Sequence, residues 1–109
     1  MISFEDFKKI EITLGEILEV EKIPETDKLL KLKIFFGSED IRQVVSGISA
    51  YYLDLSILVG KKAMFVTNLE PRTIKGFESQ AMILALSTDD GKFSLLVPTQ
   101  DLPAGTKAK

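Results

Sequence analysis

Apolar and polar residues alternate from Ile10, with Ile10, Ile12 and Leu14 set against Glu11 and Thr13. A period of two puts the two sets on opposite faces of an extended chain, so a half-buried β-strand begins here. Gly15 breaks the phase and residues 17–23 continue extended, which predicts one long first strand bent at a bulge. Upstream, Ser3 followed three residues later by Asp6 makes a helix start. Phe4, Phe7 and Ile10 then share one face of a helix too short to be stable alone.

Pro24-Glu-Thr-Asp27 has turn chemistry, and after it Leu30, Leu32, Ile34 and Phe36 form the inward face of a second strand, with Lys31 and Lys33 pointing outward together. Gly37-Ser-Glu-Asp40 predicts a hairpin loop into a third strand, Ile41–Ser46, closed by Gly47. Between Ser49 and Gly60 the period of two is lost, and Ser49 or Asp54 can cap one or two short helical turns ending at Gly60. Lys62–Asn68 predicts a fourth strand and Ser79–Ser87 a fifth, the latter so continuously apolar that burial on both faces is expected. Asp89-Asp-Gly91 is a tight turn, Lys92–Val97 a final strand, and Pro98, Pro103 and Gly105 mark an irregular end.

Three strands, a short helix and two more strands is the order of the five-stranded Greek-key barrel that binds oligonucleotides and oligosaccharides. The expected fold class is all-β, an OB-fold barrel with short helices and additional terminal strands, in a single domain over residues 1–109. Another small β-barrel is the competing topology.

Composition narrows the function classes. A hydrophobic fraction of 45% and a charged fraction of 28% are those of a chain that folds. Cysteine is absent, which removes disulfides and thiolate chemistry and points to a reducing, cytoplasmic compartment. The first residues lack the pattern of a signal peptide, and no apolar stretch approaches a membrane span, so no membrane partner is expected. Histidine is absent too, and the carboxylates are scattered without apolar neighbours to raise a pKa, so no cofactor or metal is expected and an enzyme is the least favoured class.

The net charge of −2 is unevenly spread. Residues 1–27 carry eight acids against Lys8, Lys9 and Lys22, a balance of −5, whereas Lys28, Lys31 and Lys33 give +3 over residues 28–33. Lys61, Lys62, Arg72 and Lys75 against Glu70 give +3 over residues 61–76. A local basic site on an acidic body is compatible with a nucleic-acid ligand. Residues 68–84 combine the features such a site needs. Pro71 and Gly76 shape the connection, Arg72 and Lys75 can neutralise phosphates, Asn68, Ser79 and Gln80 can hydrogen-bond base edges or a ribose hydroxyl, and Met82 can pack on an unstacked base. That mixture suits single-stranded or looped RNA. Each part also has a plain structural reading: Pro-Arg and Lys-Gly occur in ordinary hairpins, a strand Met is usually core, and Lys28, Lys31 and Lys33 can be the wet face of a strand.

Several segments in the same order, Asp27-Lys-Leu-Leu-Lys-Leu-Lys33, Val45-Ser-Gly-Ile48, Leu58-Val-Gly-Lys61, Asn68-Leu-Glu-Pro-Arg72 and Gly76-Phe-Glu-Ser-Gln-Ala-Met-Ile-Leu-Ala85, resemble the tRNA-binding domain appended to many methionyl-tRNA synthetases. That domain also occurs as stand-alone tRNA-binding proteins and as a separate synthetase β-subunit. The resemblance covers nearly all of residues 3–109. It implies a barrel that binds tRNA largely by shape and backbone without aminoacylating it. It also implies that Asn68, Arg72, Ser79, Gln80 and Met82 lie in the family's best-marked surface motif, and that Lys28, Lys31 and Lys33 match its basic strand. One departure is Ala81, where the pattern has glycine; if the backbone there meets RNA closely, the added methyl weakens the contact.

The expected partners are therefore tRNA, a second copy of the chain, and the catalytic part of methionyl-tRNA synthetase. The homodimer is expected to form through the N-terminal helix and the segment after Asp90, because Phe4, Phe7, Phe93, Leu95, Leu96, Val97 and Leu102 lie outside the five strands that close the barrel. Intramolecular packing of the same residues is the alternative. A dimerisation or tethering module, and a chaperone-like protein that binds unfolded peptides, remain open beside tRNA binding.

Overall fold

The computed structural model describes residues 1–109. A single helical turn, α1 (Phe4–Phe7), precedes the strands, and the Ser3 hydroxyl caps it by accepting from the Asp6 amide. Five strands then make one antiparallel sheet: β1 (Ile12–Lys22), β2 (Leu30–Phe35), β3 (Ile41–Ser46), β4 (Lys62–Val66) and β7 (Met82–Ile83), in the order β3-β2-β1-β4-β7. Between β4 and β7 runs a hairpin of β5 (Arg72–Ile74) and β6 (Phe77–Ser79), and a second ribbon follows, β8 (Ala85–Ser87) with β9 (Phe93–Leu95). Two 3-10 turns, Ser49–Tyr51 and Leu55–Leu58, fill the connection from β3 to β4, the second capped by Asp54.

The curl comes from β1. Its first half, Ile12–Glu16, pairs with β4, and its second half, Glu16–Lys22, pairs with β2. A strand that serves two neighbours on different walls has to bend between them, which makes a half-closed barrel of OB type. The register shifts between Ile17 and Glu19, so the bulge lies three residues beyond the break in alternation at Gly15. Gly15 has a different task. A Cβ there would lie 2.6 Å from Ile34 Cγ2 and 2.7 Å from Phe36 Cε1, so only glycine lets β1 cross this close to the core.

Leu30, Leu32, Ile34 and Phe36 all face inward as the alternation requires, and join Ile17, Val44, Leu58, Ala63, Phe65 and Ile83 in one core. Phe36 and Phe65 meet edge to face at 5.2 Å, a favoured aromatic geometry. Burying such side chains contributes roughly 1.5–3 kcal/mol each, as an upper bound against a compact unfolded chain. No helix is long and apolar enough to cross a membrane.

Two expectations are corrected. The apolar run 79–87 is not one strand buried on both faces: it is broken into β6, β7 and β8, and Met82, Ala85 and Leu86 are exposed. Within a few residues the segment passes from the edge of β3 to β4 and then to β9, where Leu84 donates to Met64 and accepts from Leu96. Each change of neighbour turns a different face inward. Likewise Phe93 and Leu95 need no second chain. Leu95 is buried in the core, while Phe93 stacks on Tyr51 at 4.1 Å and meets Tyr52 edge-on at 5.8 Å. The chain beyond β9 returns along β1, where Gly105 donates to Leu14, Leu14 to Thr106 and Ala108 to Ile12.

Candidate nucleic-acid interface

Alternation along β2 turns Lys31 and Lys33 to the outer face, and antiparallel register decides what meets them. On one side Glu21 stands opposite Lys31 and Glu19 opposite Lys33; on the other, Val45 stands opposite Lys31 and Gln43 opposite Lys33. Lys33 Nζ lies 2.6 Å from Glu19, and Lys31 Nζ 3.7 Å from Glu21. The Glu19 hydrogen bond, helped by its charge, raises Lys33 above the ordinary lysine pKa. Glu19, Glu21, Lys31, Lys33 and Gln43, with Leu32, Ile41, Arg42 and Gln80, line an open groove of about 390 Å³.

The β5–β6 hairpin stands beside this groove. Lys75 and Gly76 at its tip both have positive φ, 51° and 86°. A two-residue hairpin turn of this hand needs that conformation at both positions, and glycine meets it without strain. The Phe77 ring lies over Lys31 with Nζ 5.0 Å from its centre, so the hairpin and the basic strand touch. Arg72, at the base of the hairpin, lines a small cavity of about 60 Å³ with Val45, Leu69, Glu70, Ile74, Ser79, Ala81 and Met82. Neither Arg72 nor Lys75 forms an ion pair, nor does Lys28 in the exposed loop before β2. Met82 is 47% exposed.

Three of the polar residues singled out from the sequence have partners inside the chain. Ser79 Oγ accepts from the Val45 amide at 2.9 Å and donates to the Ala81 carbonyl at 3.0 Å. Gln80 Oε1 accepts from the Gln43 amide at 2.8 Å. Asn68 belongs to a different place: its Oδ1 accepts from the Glu11 amide and its Nδ2 donates to the Lys9 carbonyl. Next to it Thr67 and Lys107 both bond Glu11, and those two hydrogen bonds, Thr67 first, hold the Glu11 carboxyl below the usual value. This clasp ties the two ends of the chain to the barrel.

Residues 12–107 match a family described as "Putative tRNA binding domain". The chain belongs to this tRNA-binding family. It is 47% identical over 106 residues to the methionine-tRNA ligase of Caldanaerobacter subterraneus subsp. tengcongensis, covering 97% of this chain and 16% of that enzyme. The chain therefore spans a small part of the ligases it matches. Its fold is similar to the MetRS related protein from Pyrococcus horikoshii, with a TM-score of 0.90 and 35% identity over 100% of this chain and 98% of that one. It is similar also to the chaperone CsaA from Bacillus anthracis, with a TM-score of 0.88 and 30% identity over 100% and 99%.

In this tRNA-binding domain Lys31, Lys33 and Gln80 share one groove, Arg72, Ser79 and Met82 share the adjoining cavity, and Lys75 caps the hairpin between strands that lead to both. Lys28 and Asn68 line neither. Ala81, largely buried in the core cluster, also borders the cavity that Arg72 and Met82 line. Sequence reasoning missed Arg42, Gln43 and Phe77. Pairing out the Gly37–Asp40 hairpin would have put Gln43 opposite Lys33. No sequence signal places Phe77 over Lys31, because that contact joins β2 to a hairpin more than forty residues later. Arg42 Nε and Nη2 pair with Asp40 at 3.0 Å each, Nη1 donates to the Thr67 carbonyl at 2.7 Å, and the guanidinium covers the Phe36 ring.

Proposed function

We propose that the chain binds tRNA without catalysing a reaction on it, as the C-terminal domain or β-subunit of a methionyl-tRNA synthetase or as a stand-alone tRNA-binding protein, in the cytoplasm, aiding tRNA capture. The observation that carries this reading is the pair Arg72 and Lys75, two cations without acidic partners on a hairpin beside a polar groove and an exposed Met82. Arg72, Lys75 and Lys28 meet phosphates, Lys31 and Lys33 add charge along the groove, and Met82 packs on an unstacked base. The test is binding of tRNA against single-stranded and duplex RNA over a range of salt. Tighter binding of tRNA, with log affinity falling by roughly 0.7–0.9 per phosphate contact against log salt, supports it. Equal affinity for all three RNAs, or no salt dependence, rules it out.

The likeness to the chaperone CsaA favours a second reading, binding of unfolded peptide at the apolar rim of Leu69 and Met82. If peptide displaces tRNA, the two share this face. If peptide binds and tRNA does not, the second reading replaces the first.

A homodimer is part of the proposal. Phe4, Phe7, Ile10, Ile12 and Ala108 line an open cavity of about 230 Å³, and Phe4 is 71% exposed. A helical turn this short gains little from its own hydrogen bonds, so a partner surface would stabilise it. Light scattering at a mass near 12.1 kDa at all concentrations excludes the dimer, whereas twice that mass, lost on Phe4→Asp, supports it.

A further inference from the structure

The seam between β3 and the foot of the hairpin is made of side chains. β3 is an edge strand of the main sheet and β6 lies in a separate ribbon, so no ladder joins them. A single backbone-to-backbone bond crosses, from the Gln80 amide to the Gln43 carbonyl at 2.8 Å. Side chains make the rest: Gln80 Oε1 accepts from the Gln43 amide at 2.8 Å, Ser79 Oγ from the Val45 amide at 2.9 Å, Gln43 Nε2 donates to the Glu78 carbonyl at 2.9 Å, and Arg42 Nη1 donates to the Gln80 carbonyl at 3.4 Å. Of the β3 amides on its open edge, those of Gln43 and Val45 are taken, and the hairpin is moored by them.

We propose that Gln43, Ser79 and Gln80 are positioning residues, which hold the hairpin so that Arg72 and Lys75 stand beside the groove, and do not themselves read RNA. This rests on the tRNA-binding reading for its affinity test only. The chemistry of Gln80 is decisive. Its Oε1 is committed to the Gln43 amide, while its side-chain NH₂ makes no hydrogen bond in the protein. The mooring therefore needs an acceptor at this place and not a donor. Contact with a phosphate, or with an acceptor on a base edge, would need the donor.

Gln80→Glu keeps the acceptor, removes the donor and adds a negative charge. Gln80→Ala removes both. For a positioning residue, Gln80→Glu binds tRNA more tightly than Gln80→Ala, which loses about tenfold, the worth of a typical mooring bond. For a residue that contacts RNA, the order is reversed, because the added charge repels phosphate; that order overturns the proposal. A double variant sharpens it. If Gln80 acts through Arg72, then Gln80→Ala with Arg72→Ala loses no more than Arg72→Ala alone, whereas independent contacts would add.

Hydrogen exchange tests the mooring without RNA. The Gln43 amide is expected to be protected in the native protein and in Gln80→Glu, and to exchange at least about tenfold faster in Gln80→Ala. Unchanged protection in Gln80→Ala overturns the proposal even if tRNA binds. Absence of tRNA binding by the native protein with the expected exchange pattern removes the functional reading and leaves the mooring standing. Ser79→Thr, which retains the hydroxyl, is expected to protect the Val45 amide where Ser79→Ala does not, and equal loss in both would count against it.

Discussion

The two basic segments of this chain are alike in charge and differ in what faces them. Lys31 and Lys33 are answered across the sheet by Glu21 and Glu19, whereas Arg72 and Lys75 on the hairpin have no acidic partner. Phosphate arriving at β2 has to displace a carboxylate already in place. At the hairpin it does not. A count of lysines and arginines therefore overstates the strand and understates the hairpin, because the free energy of a phosphate contact depends on what the cation leaves behind.

The largest expected effect follows from that contrast. Arg72→Ala with Lys75→Ala should lower tRNA affinity by roughly one to two orders of magnitude at low salt, as two charge-assisted contacts are lost. The salt dependence should become shallower by roughly 0.7–0.9 for each contact. Lys31→Ala with Lys33→Ala should cost clearly less in the same titration. Equal losses from the two double variants would erase the distinction between the regions.

An intermediate effect comes from freeing the strand. Glu19→Gln with Glu21→Gln removes the in-chain partners of Lys33 and Lys31, so tRNA affinity should rise by about two- to fivefold at low salt and return towards the native value at high salt. Removal of the two acids Asp89 and Asp90, in the turn between β8 and β9, is the control for net charge alone. If it gives the same gain, the register of β1 with β2 has no part in the result.

The smallest effect lies at the clasp that holds the chain ends, away from both basic segments. Glu11 has its folded pKa lowered from 4.5 by Thr67 and Lys107. Its contribution to stability is present above that value and is lost as pH falls through the lower folded value. A modest fall in melting temperature below about pH 4.5 is expected, smaller in Glu11→Gln than in the native protein, with tRNA affinity at neutral pH unchanged by the substitution. A large loss of affinity in Glu11→Gln would join the clasp to the binding face.

What was legible in the sequence was whatever depends on neighbours along the chain. The period of two in residues 30–36 identified which side chains of β2 face the core, and the turn residues at 37–40 and 89–91 located two reversals, because local backbone preference decides both. The Ser3 cap and the Asp54 cap were visible for the same reason. The family membership was legible as well, since its motifs are contiguous. Tertiary structure alone decided the fate of residues 79–87, where three successive neighbours break one apolar run into separate strands. It decided that Phe93 and Leu95 enter the chain's own core. It also decided that Ser79 and Gln80 give their acceptors to β3, and that the lysines of β2 are paired while the cations of the hairpin are not. Each of these joins residues far apart in the chain, through strand register or through barrel closure, and no local pattern encodes which distant residue will arrive opposite.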